Sequence, residues 1–254
     1  MDKYVDLKEK FKNRDKIIGT TMAMLNNTLI LERMNIPNLD FVLFDAEHGV
    51  FDAQNVIPCL QVCRLMGLPS FVRVQDSEYY LAAKLIDMGA DGIMIPRTET
   101  SDQLRVALDA LLFHPVGRKG MGGHGQFRPG ETFADFAKTR FLLPQIESPR
   151  GIENLPAMFE EYGEYIDAVI IGPYDMSAMV GTPQNITSPI MLESIQKVFK
   201  IADQYGKSVG IFCDNEEKAQ MFREMGANVL WTATDKDFFL RGYNEMMQAV
   251  AEIK

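Results

Sequence analysis

The sequence predicts a closed (β/α)₈ barrel, with residues 1–254 forming one domain, on three observations. Short apolar runs of β type recur about eight times, each is followed by a segment of helical spacing or composition, and no composition shift or Ser/Gly linker divides the chain. Barrels of this kind are single domains of about 250 residues, so a length of 254 residues suits one core.

The strands are predicted, in order, over residues 17–20, 41–45, 71–74, 92–96, 142–146, 168–172, 209–212 and 229–232, where β-branched, aromatic and other apolar residues cluster. Between them lie helix signals. Asp52 stands as a cap before the spaced set Val56, Ile57, Leu60 and Cys63, and Ser77 stands before Leu81, Leu85 and Met88. Further helices are predicted to start near Glu99, Pro149, Pro189, Asn215 and Asp235. The pairs Met66-Gly67, Met88-Gly89 and Met225-Gly226 place glycine where a helix ends in a left-handed turn before a strand. One connection is irregular: residues 114–130 form a long glycine-rich loop, and a loop of that length in a compact domain is usually functional or interfacial.

Composition excludes several classes. With 26 basic against 35 acidic residues, a net charge of −9 repels polyanions, and no basic patch offsets it. The nearest candidate, Arg118, Lys119 and Arg128, suits a small anion or a subunit contact better than a nucleic acid. Cys59, Cys63 and Cys213 form neither a disulfide framework nor a zinc pair, and the i, i+4 spacing of the first two reads as core packing in a reducing cytoplasm. Residues 1–15 are charged and no window approaches ~18 apolar residues, so neither a leader nor a membrane span is expected.

A barrel of this type builds its site at the carboxyl ends of the strands. There the sequence places Asp45, Glu47 and His48; Arg73; Gln145 and Glu147; and Gly172-Pro173-Tyr174-Asp175. Glu147 and Asp175, hard oxygen ligands on neighbouring strands, suit Mg²⁺ or Mn²⁺ with water and a chelating 2-keto acid. Arg73 offers a permanent charge to an enolate oxygen, and His48 offers acid/base chemistry near neutrality. Each also has a plainer role: His48 as a structural histidine, Arg73 in an interior ion pair, Asp175 as a helix cap. Their common face favours a joint function. Lys16 and Lys207 precede strands, Lys84 lies on a helix and Lys119 in the long loop, so no lysine is placed for a Schiff base. Neither a dinucleotide nor an NTP motif is present, and the last two strands lack the glycine pairs of a phosphate grip.

Five ordered stretches carry a resemblance: Phe41-Val-Leu-Phe-Asp-Ala-Glu-His-Gly49, Val72-Arg-Val74, Ile86-Asp-Met-Gly-Ala-Asp-Gly-Ile-Met-Ile-Pro96, Pro144-Gln-Ile-Glu147 and Ile171-Gly-Pro-Tyr-Asp-Met-Ser177. Together they resemble the HpcH/HpaI aldolases, the metal-dependent class II enzymes that cleave 4-hydroxy-2-oxo acids to pyruvate and an aldehyde. The resemblance implies a divalent metal (Mg²⁺ or Mn²⁺, with Co²⁺ a further candidate) on Glu147 and Asp175, Arg73 at the pyruvate enolate, and His48 in proton transfer. It further implies Asp87 as the carboxylate orienting His48, Gln145 in the pyruvate site, and Gly172 and Pro173 shaping the loop that presents Asp175. A homo-hexamer exchanging a C-terminal helix, residues 238–253, is implied as well. Two departures stand out. Gly117-Arg-Lys-Gly120 replaces a Gly-Ile-Arg-Gly-like turn in a loop expected to set aldehyde specificity, and Tyr174 occupies a position that is small in many relatives. The alternatives are a CoA-ester lyase, which needs a nucleotide-sized pocket, and a silent barrel that binds a keto acid or metal without turnover.

Overall fold

The computed structural model describes residues 3–34 and 38–253. The chain begins with α1 (Lys3–Asn13) and runs through β1 (Ile17–Met22), α2 (Thr28–Arg33), β2 (Phe41–Asp45), α3 (Ile57–Met66), β3 (Ser70–Arg73), α4 (Tyr79–Asp87), β4 (Gly92–Ile95) and α5 (Ser101–Leu111). After a long loop come α6 (Phe133–Phe136), β5 (Phe141–Ile146), α7 (Pro149–Tyr162), β6 (Ala168–Ile171), α8 (Pro173–Met179), α9 (Pro189–Gln204), β7 (Ser208–Cys213), α10 (Glu216–Met225), β8 (Val229–Thr234) and α11 (Asp235–Ala251). The strands close in the order β1 to β8, all parallel, as the alternation predicts. Predicted and observed strand ends agree to within two residues, and β2 matches at both ends.

Alternation along each strand sorts side chains into two cores. One set points inward: Phe41, Leu43, Phe71, Met94, Phe141, Leu143, Ile170, Val229 and Trp231, closed below by Leu7 and Phe11 of α1. Phe41, Phe71 and Phe141 stack across the barrel at 4.9 and 5.0 Å between centroids. The ring of Phe41 requires glycine at position 19, where a Cβ would lie 2.0 Å from it. The other set, including Val42, Phe44, Val72, Ile93, Cys59 and Cys63, packs under the helices.

Two caps differ from expectation. Asp52 accepts the N–H groups of Gln54 and Asn55, forming a turn, and α3 starts only at Ile57 behind Val56. The Ser77 hydroxyl donates to the Gln103 carbonyl, and α4 has no side-chain cap. The glycine turns hold, with φ of +63° at Gly67, +109° at Gly89 and +124° at Gly226.

α5 follows β4 at the carboxyl rim and runs back to the amino rim, which places the 114–130 loop, between the end of α5 and the start of β5, at the rim away from the strand ends. Within one chain it does not line the mouth, contrary to the expectation that it sets specificity. Its cations are engaged: Arg118 with Asp109 (2.7 Å), Lys119 with Asp87 (2.5 Å) and Arg128 with Asp91 (2.7 Å). They form no open anion site. Among the described residues no helix is long and apolar enough to cross a membrane.

Candidate active site

The same alternation that fills the barrel with phenylalanine switches to polar residues one step before the carboxyl rim. On β5, Phe141 and Leu143 are followed inward by Gln145 and then Glu147; on β2, Phe41 and Leu43 are followed by Asp45. The β2–β3 register sets Asp45 beside Arg73. Their side chains join at two points, Nε donating to Oδ1 (3.0 Å) and Nη2 to Oδ2 (2.7 Å). Asp45 Oδ1 also accepts the backbone N–H groups of Glu47 and His48, so Asp45 shapes the turn that carries the histidine.

Burial works to raise the Asp45 carboxyl, but the Arg73 hydrogen bond and charge and the two N–H groups hold it below the usual carboxylate range. Burial works to lower Arg73, while Asp45, Glu47 and Glu147 raise it above the ordinary guanidinium value. Arg73 therefore carries a permanent positive charge inside the barrel.

Glu147 is less completely matched. Its Oε2 accepts the Arg97 N–H at 2.8 Å, from a backbone held at φ +47°, while its Oε1 is buried with no hydrogen-bond partner. Burial, with the charges of Asp175 and Glu47 adding to it and the Arg97 N–H and Arg73 opposing, pushes its carboxyl up to about 8. A Cβ at position 172 would lie 2.0 Å from Glu147 Oε1 and 2.6 Å from Gln145 Nε2, so glycine there leaves room for both. Pro173 then opens α8, whose first turn carries Asp175.

A cavity of about 190 Å³ gathers the predicted residues: His48, Arg73, Gln145, Gly172, Pro173, Tyr174 and Asp175 line it, together with Asp45, Thr21, Phe212, Trp231 and Thr234. The His48 side chain is 60% exposed at the mouth, its Nε2 3.8 Å from Glu47 Oε2. Glu147 and Asp87 do not line it: Glu147 is buried behind Gly172, and Asp87 lies farther off. It ends α4 at the opposite rim and binds Lys119, so within one chain it does not orient His48. Sequence reasoning gave no role to Asp45, Glu47, Arg97, Phe212 or Trp231. Inward alternation would have found three of them, because Asp45, Phe212 and Trp231 each follow an inward residue by two.

No cluster of three or more His, Cys, Asp or Glu side chains that could hold a metal occurs among the described residues. Glu147 and Asp175 are the carboxylates that could hold one, and the unpartnered Glu147 Oε1 is the kind of orphaned buried acceptor that a cation satisfies.

Comparison with known proteins bears directly on this arrangement. Residues 22–241 match the model of the HpcH/HpaI aldolase/citrate lyase family. The chain belongs to that family. It is a carbon–carbon lyase of the aldolase/citrate lyase kind, and the resemblance read from its motifs stands. It is 28% identical over 221 residues to the 5-keto-4-deoxy-D-glucarate aldolase of Escherichia coli (strain K12), covering 85% of this chain and 86% of that protein. An HpcH/HpaI aldolase of Desulfitobacterium hafniense DCB-2 has the same fold, with a TM-score of 0.89 at 24% identity over 98% of this chain and 97% of that one. A family protein of Burkholderia cenocepacia J2315 matches at a TM-score of 0.88 and 24% identity, over 97% and 99% of the two chains.

Proposed function

We propose that this lyase is a divalent-metal-dependent aldolase that cleaves a 4-hydroxy-2-oxo acid to pyruvate and an aldehyde, reversibly. The observation that carries the reading is the unpartnered, buried Oε1 of Glu147, directly behind Gly172 of the mouth that Asp175 and a permanently charged Arg73 line. Glu147 and Asp175 would hold Mg²⁺, Mn²⁺ or Co²⁺, which when bound supplies a Lewis acid for the 2-keto group.

The chain's own residues account for the rest. Asp45 engages Nε and Nη2 of Arg73, which leaves Nη1 as the edge available to the oxygen that becomes negative. Gln145, buried with its Oε1 unpartnered, lies where the keto-acid portion would sit and can fix its orientation. In cleavage the C4 hydroxyl yields its proton at the mouth, where His48 is the exposed base. The C3–C4 bonding pair passes to C3 and is delocalised onto the C2 oxygen, the aldehyde departs, and C3 takes a proton to become the pyruvate methyl. The cavity volume of about 190 Å³ suits pyruvate with a small aldehyde and is short of the several hundred Å³ of a nucleotide-sized pocket, which disfavours a CoA ester.

The test is proton NMR of pyruvate in D₂O with the protein as isolated, after EDTA, and with Mg²⁺ or Mn²⁺ restored. Metal-dependent loss of the methyl signal is expected. Pyruvate binding without exchange in any metal state would replace the aldolase reading with a silent keto-acid-binding barrel.

The assembly proposed is a homo-oligomer, a hexamer on the family resemblance. Every described residue from Phe238 onward is exposed, among them Phe239, Leu240, Tyr243, Met246 and Met247, beside an apolar groove formed by Ile18, Leu25, Ile30 and Met34. A helix so exposed fits exchange with a neighbouring chain.

A further inference from the structure

The proposed reaction places the keto acid between Arg73, Gln145, Glu147 and Asp175, so the aldehyde must meet its C3 from the side that remains. That side is the arc of β7, β8 and β1, and its lining is unlike the other half of the cavity. Tyr174, Phe212 and Trp231 make one aromatic wall, with centroid separations of 6.3 Å between the first two and 5.0 Å between the last two. The Thr21 and Thr234 hydroxyls on this arc each hold a neighbouring side chain. Thr21 Oγ1 accepts from Trp231 Nε1 (2.5 Å), and Thr234 Oγ1 donates to Asp237 (2.8 Å).

Behind the wall stands an ion pair whose carboxylate faces the ring. The Tyr174 hydroxyl donates to Asp214 Oδ2 at 2.6 Å, the same oxygen takes Lys218 Nζ at 2.7 Å, and Asp214 Oδ1 is buried with no partner. The cation behind this wall, Lys218, is matched by Asp214. A second carboxylate carried in on an aldehyde would lose its hydration against aromatic rings, meet no unpaired cation among the described residues of this wall, and face the unpartnered Asp214 Oδ1. An apolar body would instead gain by burial against the same rings.

Resting on the aldolase reading above, we infer that the acceptor is a neutral aldehyde with an apolar or aromatic body, and that Tyr174, tethered through its hydroxyl to Asp214, is the residue that selects it. The ring stands at the mouth next to Asp175, and the tether fixes the face it turns to the substrate.

The experiment is pyruvate addition to two acceptors of matched shape, 4-methylpentanal and the anionic succinic semialdehyde, with kcat/KM measured for each on the full-length protein. Wild type is expected to favour the neutral aldehyde by about tenfold or more, the scale on which an apolar pocket discriminates. Asp214→Asn removes the charge and keeps a hydrogen-bond acceptor, and is expected to narrow that ratio several-fold. Tyr174→Ala, which removes the ring, should narrow it mainly through a higher KM for 4-methylpentanal. A wild-type preference for the semialdehyde, or a ratio unmoved in both variants, overturns the inference. Because each ratio is taken within one preparation, partial misfolding of a variant cancels from it. Pyruvate methyl exchange in D₂O, which needs no aldehyde, separates the two readings. Exchange with a preference for the semialdehyde removes only the acceptor assignment, whereas no exchange in any metal state removes the aldolase and this inference with it.

Discussion

Both rims of the barrel bury charged side chains, but among the described residues the buried carboxylate oxygens left without a hydrogen-bond partner, Glu147 Oε1 and Asp214 Oδ1, both lie at the carboxyl rim. At the amino rim Arg128 bridges Asp91 and Glu131 at 2.7 Å each, Arg140 meets Glu131 at 2.9 Å, and Lys119 meets Asp87 at 2.5 Å. At the carboxyl rim Arg73 pairs with Asp45 and Glu47 and Arg97 with Glu47, while Glu147 accepts only the Arg97 backbone N–H and its Oε1 has no partner. A closed network holds the glycine-rich loop in place; an open one has capacity left for a cation and a substrate. Buried charge alone therefore does not mark a site, whereas unmatched buried charge does.

The largest expected effect separates the rims by function. Arg73→Ala should slow pyruvate methyl exchange by about a thousandfold, the scale for losing a preorganised oxyanion partner. Arg73→Lys, which keeps the charge without the two-point grip on Asp45, should recover only part of the rate. Exchange at the wild-type rate in the alanine variant would remove Arg73 from the enolate site.

The converse change belongs to the amino rim. Arg128→Ala strands Asp91 and half of Glu131, and should cost about 3–5 kcal/mol in urea unfolding. Exchange per folded molecule should stay within about twofold of wild type. A variant that kept its stability but lost exchange would erase the distinction between the rims.

A smaller effect is read through pH. Without a metal the folded chain holds the Glu147 proton up to about 8, against an ordinary value of 4.5. Between those values the folded state binds more protons than the unfolded one, so stability falls as pH rises, by at most about 1.4 kcal/mol per pH unit. After chelation, melting temperatures from pH 5 to 8 should show this slope in wild type and lack its Glu147 part in Glu147→Gln. Mn²⁺ titrated by calorimetry should bind more tightly as pH rises toward about 8, because the metal must displace that proton. A pH-independent affinity would show that Glu147 is not a ligand.

The barrel was legible because its signal is local. The inward residues of β2 and β5 alternate over two to three repeats, and left-handed glycines end α3, α4 and α10. Much of the site was legible for the same reason, since Arg73, Gln145 and Glu147 each stand at or just past the end of a strand. That Asp87 lies away from His48 within one chain follows from Met88-Gly89, which marks the end of its helix, since a helix in a βα unit ends at the amino rim. The 114–130 loop follows the same rule. The pairing of Arg118, Lys119 and Arg128 was not legible, because their partners Asp109, Asp87 and Asp91 lie 9, 32 and 37 residues away.

By itself the sequence determined the eight strands and the longer helices between them, since both depend on spacing along a few consecutive residues, while α1, α2, α6 and α8 carry no such signal in it. Tertiary structure alone decided which charges cancel. Strand register put Asp45 against Arg73, the fold of the long loop put Lys119 against Asp87, and Gly172 left Glu147 space beside Asp175 without a cation of its own. Whether a buried charge stabilises or remains available depends on what lies within about 4 Å of it in space, a distance that position along the chain does not encode.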